Sequence, residues 1–215
     1  MLYHWIVNFL FPPKCILCRK VLEKQETDLC RCCRTDTAEY SSTKRKLQFL
    51  DSFTAVWYYE KYVRSSLLRY KFRGARSYAS GYGRILAMKI HREYPDGFDV
   101  LTWIPISRLR KLRRGYDQVE LLADAVGREL GMQPVPVLKK VRNNRQQSRI
   151  KDAAKRRANV LGVYQETDPA FISGKRVLLL DDILTTGATA SEAGRVLLTA
   201  GAKEVHCAAI AASRK

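Results

Sequence analysis

Val177 to Leu180 is a run of four apolar residues with no alternation. Such a run suits a strand buried on both faces of a parallel sheet, and the predicted strand extends from Arg176 to Asp182. Downstream, Ala190, Ala193, Val196, Leu197 and Ala200 recur at spacings of three and four, which predicts a helix, and Glu204 to Ile210 predicts a last strand. Upstream, Phe53 to Tyr59 is β-branched and aromatic and reads as a strand. Lys61 to Phe72 and Ser77 to Glu93 have helical period. Asp99 to Ile104 reads as the first core strand, and Asp117 to Leu130 as an amphipathic helix. Two short strands are expected at Gln133 to Leu138, where Pro134 and Pro136 suggest an edge, and at Asn159 to Tyr164. Strands alternating with helices predict an α/β domain, a parallel sheet flanked by helices.

The joint after the central strand carries the chemistry. Asp181 and Asp182 follow the apolar run, then the small-residue loop Thr185-Thr186-Gly187-Ala188-Thr189, then the helix. A Gly-containing loop that opens a helix presents N–H groups and a positive helix end, which suit a phosphate. Carboxylates at the carboxyl end of a strand lie where ligands bind in open α/β sheets. They cannot favour a phosphate, but they accept hydrogen bonds from sugar hydroxyls or hold Mg²⁺. A sugar phosphate fits both halves. A second loop, after the Asp99 strand, carries Arg108, Arg110, Lys111, Arg113 and Arg114 before Gly115. Five positive charges on the ligand edge suit a pyrophosphate.

Charge and cysteine usage add two features. Lys+Arg number 39 against 21 Asp+Glu, a net +18, which implies anionic partners such as polyphosphates or nucleic acid. Residues 139–157 are especially basic, with nine Lys or Arg in nineteen positions. A long polar segment inside a compact domain suits a lid or a nucleic-acid-binding loop. Five of the six cysteines lie between Cys15 and Cys33. Cys15-x2-Cys18 and Cys30-x2-Cys33 have the spacing of a four-thiolate structural Zn²⁺ site, which leaves no open position for catalysis. Cys32 is a spare thiol that can replace Cys30 or Cys33. Clustered thiols also suit a reducing compartment. The apolar start of the chain lacks a basic flank and is stopped by Pro12 and Pro13, so neither a secretory signal nor a membrane span is expected, and the expected location is cytoplasmic. The scattered His4, His91 and His206 give no histidine cluster, and no Walker loop, serine-hydrolase elbow or dinucleotide fingerprint is present.

Val177 to Thr189 resembles the phosphoribosyl-pyrophosphate (PRPP) signature of type I phosphoribosyltransferases. With the four-Cys ribbon, Tyr70-Lys71-Phe72-Arg73-Gly74, Arg113-Arg114-Gly115-Tyr116-Asp117-Gln118, and Gln147 and Arg157-x-Asn159-Val160 in the basic segment, the chain resembles the ComF family. The resemblance implies a type I phosphoribosyltransferase fold behind a zinc finger, and a role in natural competence and DNA uptake. It differs at two places. The family usually has Asn where Asp117 stands, and a carboxylate there would repel pyrophosphate unless it serves as an N-cap or metal ligand. The family often has Pro-x-Pro at the end of the first strand, where this chain has Trp103 and Pro105.

Two domains are expected, residues 1–48 (apolar segment, zinc ribbon and linker) and residues 49–215 (the phosphoribosyltransferase-like domain). In the first functional reading Asp181 and Asp182 hold the ribose hydroxyls and Mg²⁺. Thr185, Thr186, Gly187, Ala188 and Thr189 cradle the 5′-phosphate. Arg108, Arg110, Lys111, Arg113, Arg114 and Gly115 take the pyrophosphate. Arg145, Gln147, Arg149 and Arg157 form a basic lid or nucleic-acid contact. In the second reading the protein is a non-enzymatic single-stranded-DNA-binding competence factor whose zinc module docks an ATP-driven translocase.

Overall fold

The computed structural model describes residues 12–41, 45–142 and 159–214. Arg145, Gln147, Arg149 and Arg157 lie outside the described residues. In chain order the elements are α1 (Arg31–Asp36), β1 (Ser52–Tyr58), α2 (Lys61–Phe72), α3 (Tyr78–Glu93), β2 (Val100–Trp103), α4 (Arg108–Arg114) and α5 (Gln118–Leu130). After them come β3 (Leu138–Lys140), β4 (Tyr164–Glu166), α6 (Pro169–Ile172), β5 (Arg176–Leu184), α7 (Ala188–Thr199) and β6 (Glu204–Ala212).

The main sheet has the order β1-β6-β5-β2, with every pair parallel. Parallel strands need crossovers, and α2 to α7 supply them on both faces. That is why β5 is apolar on successive residues: Val177, Leu178, Leu179 and Leu180 are each fully buried. Period-two alternation sends Leu178 and Leu180 into one core with Leu86 and Ile90 of α3 and Leu122 and Val126 of α5. Val177 and Leu179 go to the opposite core with Val196 and Leu197 of α7. Helices α3 and α5 pack closely because Gly83 has no Cβ; one built there would meet the Ala125 Cβ at 2.4 Å.

The zinc module shares the first of these cores. Cys15, Leu17, Cys30 and Cys33 pack with Trp57, Leu67 and Tyr82. Ser66 donates to the Ile16 carbonyl. Arg69 donates to the Ile16 carbonyl at 3.1 Å and the Leu17 carbonyl at 2.5 Å, and Arg84 pairs with Asp28 at 2.6 Å.

Several elements depart from expectation. The basic stretch after β2 is a helix, α4, rather than a loop. Ser107 caps its start by accepting the Arg110 N–H at 3.4 Å, and Gly115 closes it in the left-handed region at φ 78°. The two short strands lie further along than predicted and pair antiparallel as a separate hairpin, Lys140 opposite Tyr164. Prolines 134 and 136 have no N–H for a ladder, which displaces β3 toward Leu138. Strand β5 runs on to Leu184, so the two aspartates sit within it. Cys207 is fully buried, and His206 is largely buried, bonded to Ser52 at 2.9 Å and Glu204 at 3.2 Å, as a core histidine should be. Among the described residues no helix is long and apolar enough to cross a membrane.

Candidate functional site

A cleft of about 680 Å³ opens at the carboxyl edge of the sheet. Its position follows from strand lengths. β2 pairs with β5 only as far as Trp103 opposite Leu180, and Ile104 adds one more bond to the Leu180 carbonyl at 3.0 Å. Pro105 then turns the chain away. β5 continues, so Asp181 and Asp182 emerge where their neighbour has ended. The lining includes Lys71 and Phe72 of α2, Arg110, Arg113 and Arg114 of α4, Gln118 of α5, Lys140 of β3, Tyr164 of β4, both aspartates, Thr185 and Thr189.

The alternation of β5 separates the two carboxylates. Asp182 turns toward α5. Its Oδ2 accepts Gln118 Nε2 at 2.8 Å and its Oδ1 lies 2.9 Å from Lys71 Nζ. Asp181 is half-buried, and its Oδ1 accepts the Asp182 N–H at 2.8 Å. Burial and the charge of Asp182 push the Asp181 carboxyl well above the usual carboxylate range. Burial acts upward on Asp182 too, but the Lys71 ammonium and the Gln118 amide hold it below that range. Asp182 therefore carries the negative charge of the pair.

Two stretches far apart in sequence build this arrangement together. Tyr70 donates its hydroxyl to the Gln118 carbonyl at 2.6 Å, and Tyr116 donates to the Tyr70 carbonyl. The Arg114 guanidinium stacks over the Phe72 ring at 5.1 Å and donates to Gln118 Oε1. Arg76 lies over Tyr116 at 4.6 Å and donates to the Gly115 carbonyl at 3.2 Å. The segments 70–76 and 114–118 thus form one interlocked wall, with Lys71 and Gln118 aimed at Asp182.

Beside the cleft, Asp181 and residues Ile183 to Ala190 line a smaller pocket around the Thr/Gly loop. Gly187 takes φ 80° to start α7, and the Thr186 hydroxyl accepts the Ala188 N–H at 3.3 Å. The Arg45 guanidinium donates to the Thr185 carbonyl at 2.5 Å. First-turn N–H groups of a helix lack intrahelical partners, so this loop has the chemistry of an anion cradle.

Of the basic residues of α4, Arg110, Arg113 and Arg114 reach the cleft. Lys111 turns outward to Glu120 at 2.5 Å, Arg108 is exposed, and Gly115 serves as the C-cap. Asp117 is an N-cap: it accepts Val119 N–H at 2.9 Å and Glu120 N–H at 3.3 Å on one oxygen and Ile106 N–H at 3.0 Å on the other. Four polar cleft residues are not among those assigned by name from the sequence to ribose, phosphate or pyrophosphate: Lys71, Gln118, Lys140 and Tyr164. Lys71 and Gln118 stand inside the two short family motifs, and their value came from the motifs meeting in space. Lys140 lies over the Tyr164 ring at 5.3 Å. Burial, with the nearby Arg110, brings its ammonium down to about 8.

At the other end of the chain, the sulfurs of Cys15, Cys18, Cys30 and Cys33 all lie within 4.8 Å of one another, with Cys18 and Cys30 at 3.6 Å. Tetrahedral Zn²⁺ with sulfur ligands requires separations of about 3.8 Å. Burial raises the Cys15 thiol, but backbone N–H groups of Cys18, Cys30 and Leu17 bring it to about 7. Burial and the neighbouring sulfurs push Cys33 up, as expected of packed thiols that need a cation. Cys32 is exposed and outside the cluster. The donor set fits structural zinc.

Residues 120–215 match the family described as "Phosphoribosyl transferase domain" and residues 6–44 match "Double zinc ribbon domain". Competence protein ComFC of Bacillus subtilis (strain 168) is 29% identical over 209 residues, covering 92% of this chain and 84% of the relative. Competence protein ComFC of Streptococcus pneumoniae is 34% identical over 161 residues, covering 72% and 65%. Among solved structures, glutamine PRPP amidotransferase from B. subtilis aligns at 23% identity and TM-score 0.44, over 66% of this chain and 30% of that one. The fold, the clustered thiols and these relatives agree: the chain fits the ComF family, with a phosphoribosyltransferase-type α/β sheet behind an N-terminal zinc ribbon.

Proposed function

We propose that the cleft binds PRPP and that the protein is a PRPP-binding, phosphoribosyltransferase-like member of the competence machinery, acting in DNA uptake. The observation that carries this reading is the place of Asp181. It lines both the loop pocket and the main cleft. An anion cradle, a carboxyl and a cationic wall therefore follow one another in the order 5′-phosphate, ribose, pyrophosphate. Thr185 to Thr189 take the phosphate, Asp181 accepts from a ribose hydroxyl, and Arg110, Arg113, Arg114 and Lys140 meet the pyrophosphate. The names of the relatives supply the competence role.

Displacement of pyrophosphate at ribose C1 builds oxocarbenium-like charge on the sugar. The single negative charge of the Asp181–Asp182 pair is placed to stabilise that charge, and the arginines to stabilise the leaving group, so the residues act by position and electrostatics. Asp181 is the carboxyl with an oxygen toward the cleft. On losing its proton it would fit a Mg²⁺ held mostly by the ligand's own oxygens, since Mg²⁺ uses one or two carboxylates besides phosphates and waters. When bound, that ion would neutralise charge on the pyrophosphate.

Calorimetry with PRPP in Mg²⁺ buffer tests the reading. Asp181→Asn is expected to weaken binding by about tenfold or more; equal affinity in the two proteins rejects the assignment. A second reading, single-stranded DNA binding, is favoured by the net charge of +18 and by the exposed Phe72 beside Arg114 in the cleft lining. Aromatic and basic groups together suit unpaired bases and backbone. An oligonucleotide titrated across salt concentrations is expected to show steep salt dependence; flat binding would count against it. On this reading the zinc module docks the translocase partner.

A further inference from the structure

Both oxygens of Asp182 are engaged by the protein itself, Oδ1 with the Lys71 ammonium at 2.9 Å and Oδ2 with the Gln118 amide at 2.8 Å. The Asp182 side chain is only 5% exposed. Lys71 is tied to that carboxylate with its side chain 20% exposed. It leaves the last turn of α2 between Tyr70, bonded to the Gln118 and Tyr116 positions, and Phe72, over which Arg114 stacks. The ammonium is thus a fixed charge on the cleft floor rather than a surface lysine that wanders. Lys140, over the Tyr164 ring, lines the same cleft. In all, the cleft lining carries five cationic side chains, Lys71, Arg110, Arg113, Arg114 and Lys140, against two carboxylates, Asp181 and Asp182.

Such a floor treats a divalent cation and an anion differently. Mg²⁺ seeks hard oxygens in an octahedral shell and gives up water reluctantly. Here one carboxylate of the pair is saturated, and an ammonium stands where a second cation would draw close to it. A polyanionic sugar phosphate meets a net positive lining without help.

We propose that Lys71 is the resident counter-cation of the ribose subsite, and that it makes retention of a phosphoribosyl ligand by this protein independent of Mg²⁺. The proposal rests on the PRPP reading above and deepens it. Mg²⁺ that rides on the pyrophosphate is carried by the ligand, and the protein's grip does not need it. Lys71 is a positioning residue: it fixes the ionised Asp182 and adds its own charge to the floor.

Calorimetric titration of the zinc-loaded full-length protein with PRPP tests this, once in excess Mg²⁺ and once in resin-treated Mg²⁺-free buffer, with zinc content checked so that the ribbon stays intact. Wild-type affinity is expected to agree within about threefold between the two buffers. Lys71→Met keeps the stem and removes the charge. It should lose about tenfold or more in Mg²⁺-free buffer and recover most of that in Mg²⁺, because Asp182 Oδ1 is then open to the ion. Lys71→Arg should stay within about threefold of wild type in both buffers. Wild-type binding that falls by about tenfold without Mg²⁺ overturns the proposal, as does a Lys71→Met protein with the metal dependence of wild type. Should Lys71→Met not fold, the two wild-type titrations decide alone. Absence of binding in both buffers refutes the phosphoribosyl reading itself, and so is told apart from a failure of the Lys71 role.

Discussion

The Asp117 carboxylate joins the end of the loop after β2 to the start of α5: it accepts the Ile106 N–H at 3.0 Å on one oxygen and caps the helix through Val119 N–H at 2.9 Å on the other. This explains why a carboxylate is tolerated beside a site for anions. Its lone pairs face backbone donors and it is 4% exposed, so it presents no charge to the cleft directly. Burial nevertheless pushes its pKa up, with the three N–H groups acting against that shift. Asp117→Ala removes both links and should cost about 1–2 kcal/mol, a fall in melting temperature of about 2–8 °C for a chain of this size. Asp117→Asn keeps one acceptor oxygen for the cap and loses the second, so it should fall between Ala and wild type. Thermal melts of the three proteins check the order. Equal melting of Ala and wild type would show that the cap carries no weight.

Lys140 gives the cleft a titration near neutral pH. Burial and then Arg110 lower its ammonium to about 8, opposed by Asp181 and Asp117. Below that value the empty cleft already holds the charge. Above it, Lys140 is neutral until an anion arrives, and binding must take up a proton. Affinity for a phosphoribosyl ligand should therefore fall by about tenfold from pH 7 to pH 9. A phosphomonoester is almost fully ionised throughout that window, so the ligand does not supply the slope. Lys140→Met should bind more weakly at pH 7 and show a flat profile. A wild-type profile that is itself flat would place Lys140 outside the ligand's reach.

The central strand, the helix after it and the ligand edge were legible because their signals are local. Val177 to Leu180 has no alternation, and Gly187 stands where a helix must start at positive φ. The cysteine spacing was equally local, and the exposed Cys32 settles which four thiols meet. The separate fates of Asp181 and Asp182 were not legible. They are adjacent letters, yet strand alternation and the longer reach of β5 send one to Lys71 and leave the other toward the cleft. Nor does any local pattern in Tyr70-Lys71-Phe72 or Tyr116-Asp117-Gln118 say that these stretches touch. That contact is tertiary, made by side-chain bonds between α2 and the start of α5. The hairpin strands were misplaced because three-residue strands flanked by Pro and Gly carry little periodic signal.

Zinc removal should unravel the N-terminal ribbon and loosen α2 with it. The Cys15, Cys30 and Cys33 side chains belong to the same core as Leu67 and Tyr82, and Arg69 and Ser66 donate to the Ile16 carbonyl. Metal analysis should give about one Zn²⁺ per chain. Cys15→Ser should lose the metal and raise amide exchange both in the ribbon and in α2, whereas Cys32→Ser should retain metal and exchange as wild type. A chelated protein whose α2 amides stay protected would show that the ribbon is an attachment rather than part of the core.

Gly187 faces two separate constraints, and they can be measured apart. Its φ of 80° disfavours any side chain, and a Cβ there would stand 2.3 Å from Leu47 Cδ2. The conformational part costs about 1–2 kcal/mol for a non-glycine residue, while the contact part depends on whether the Leu47 methyls can move. Gly187→Ala should destabilise the fold and weaken phosphate-ligand binding, since the Thr185 to Thr189 loop must shift its N–H groups. Adding Leu47→Ala should recover the contact part only, giving a favourable coupling between two neighbours that would otherwise add. Chemical denaturation of the four proteins of that cycle separates the terms. A double variant as stable as Leu47→Ala alone would mean that the positive φ costs nothing. No coupling at all would mean that the Leu47 methyls move aside freely, leaving backbone conformation as the whole reason for glycine at the start of α7.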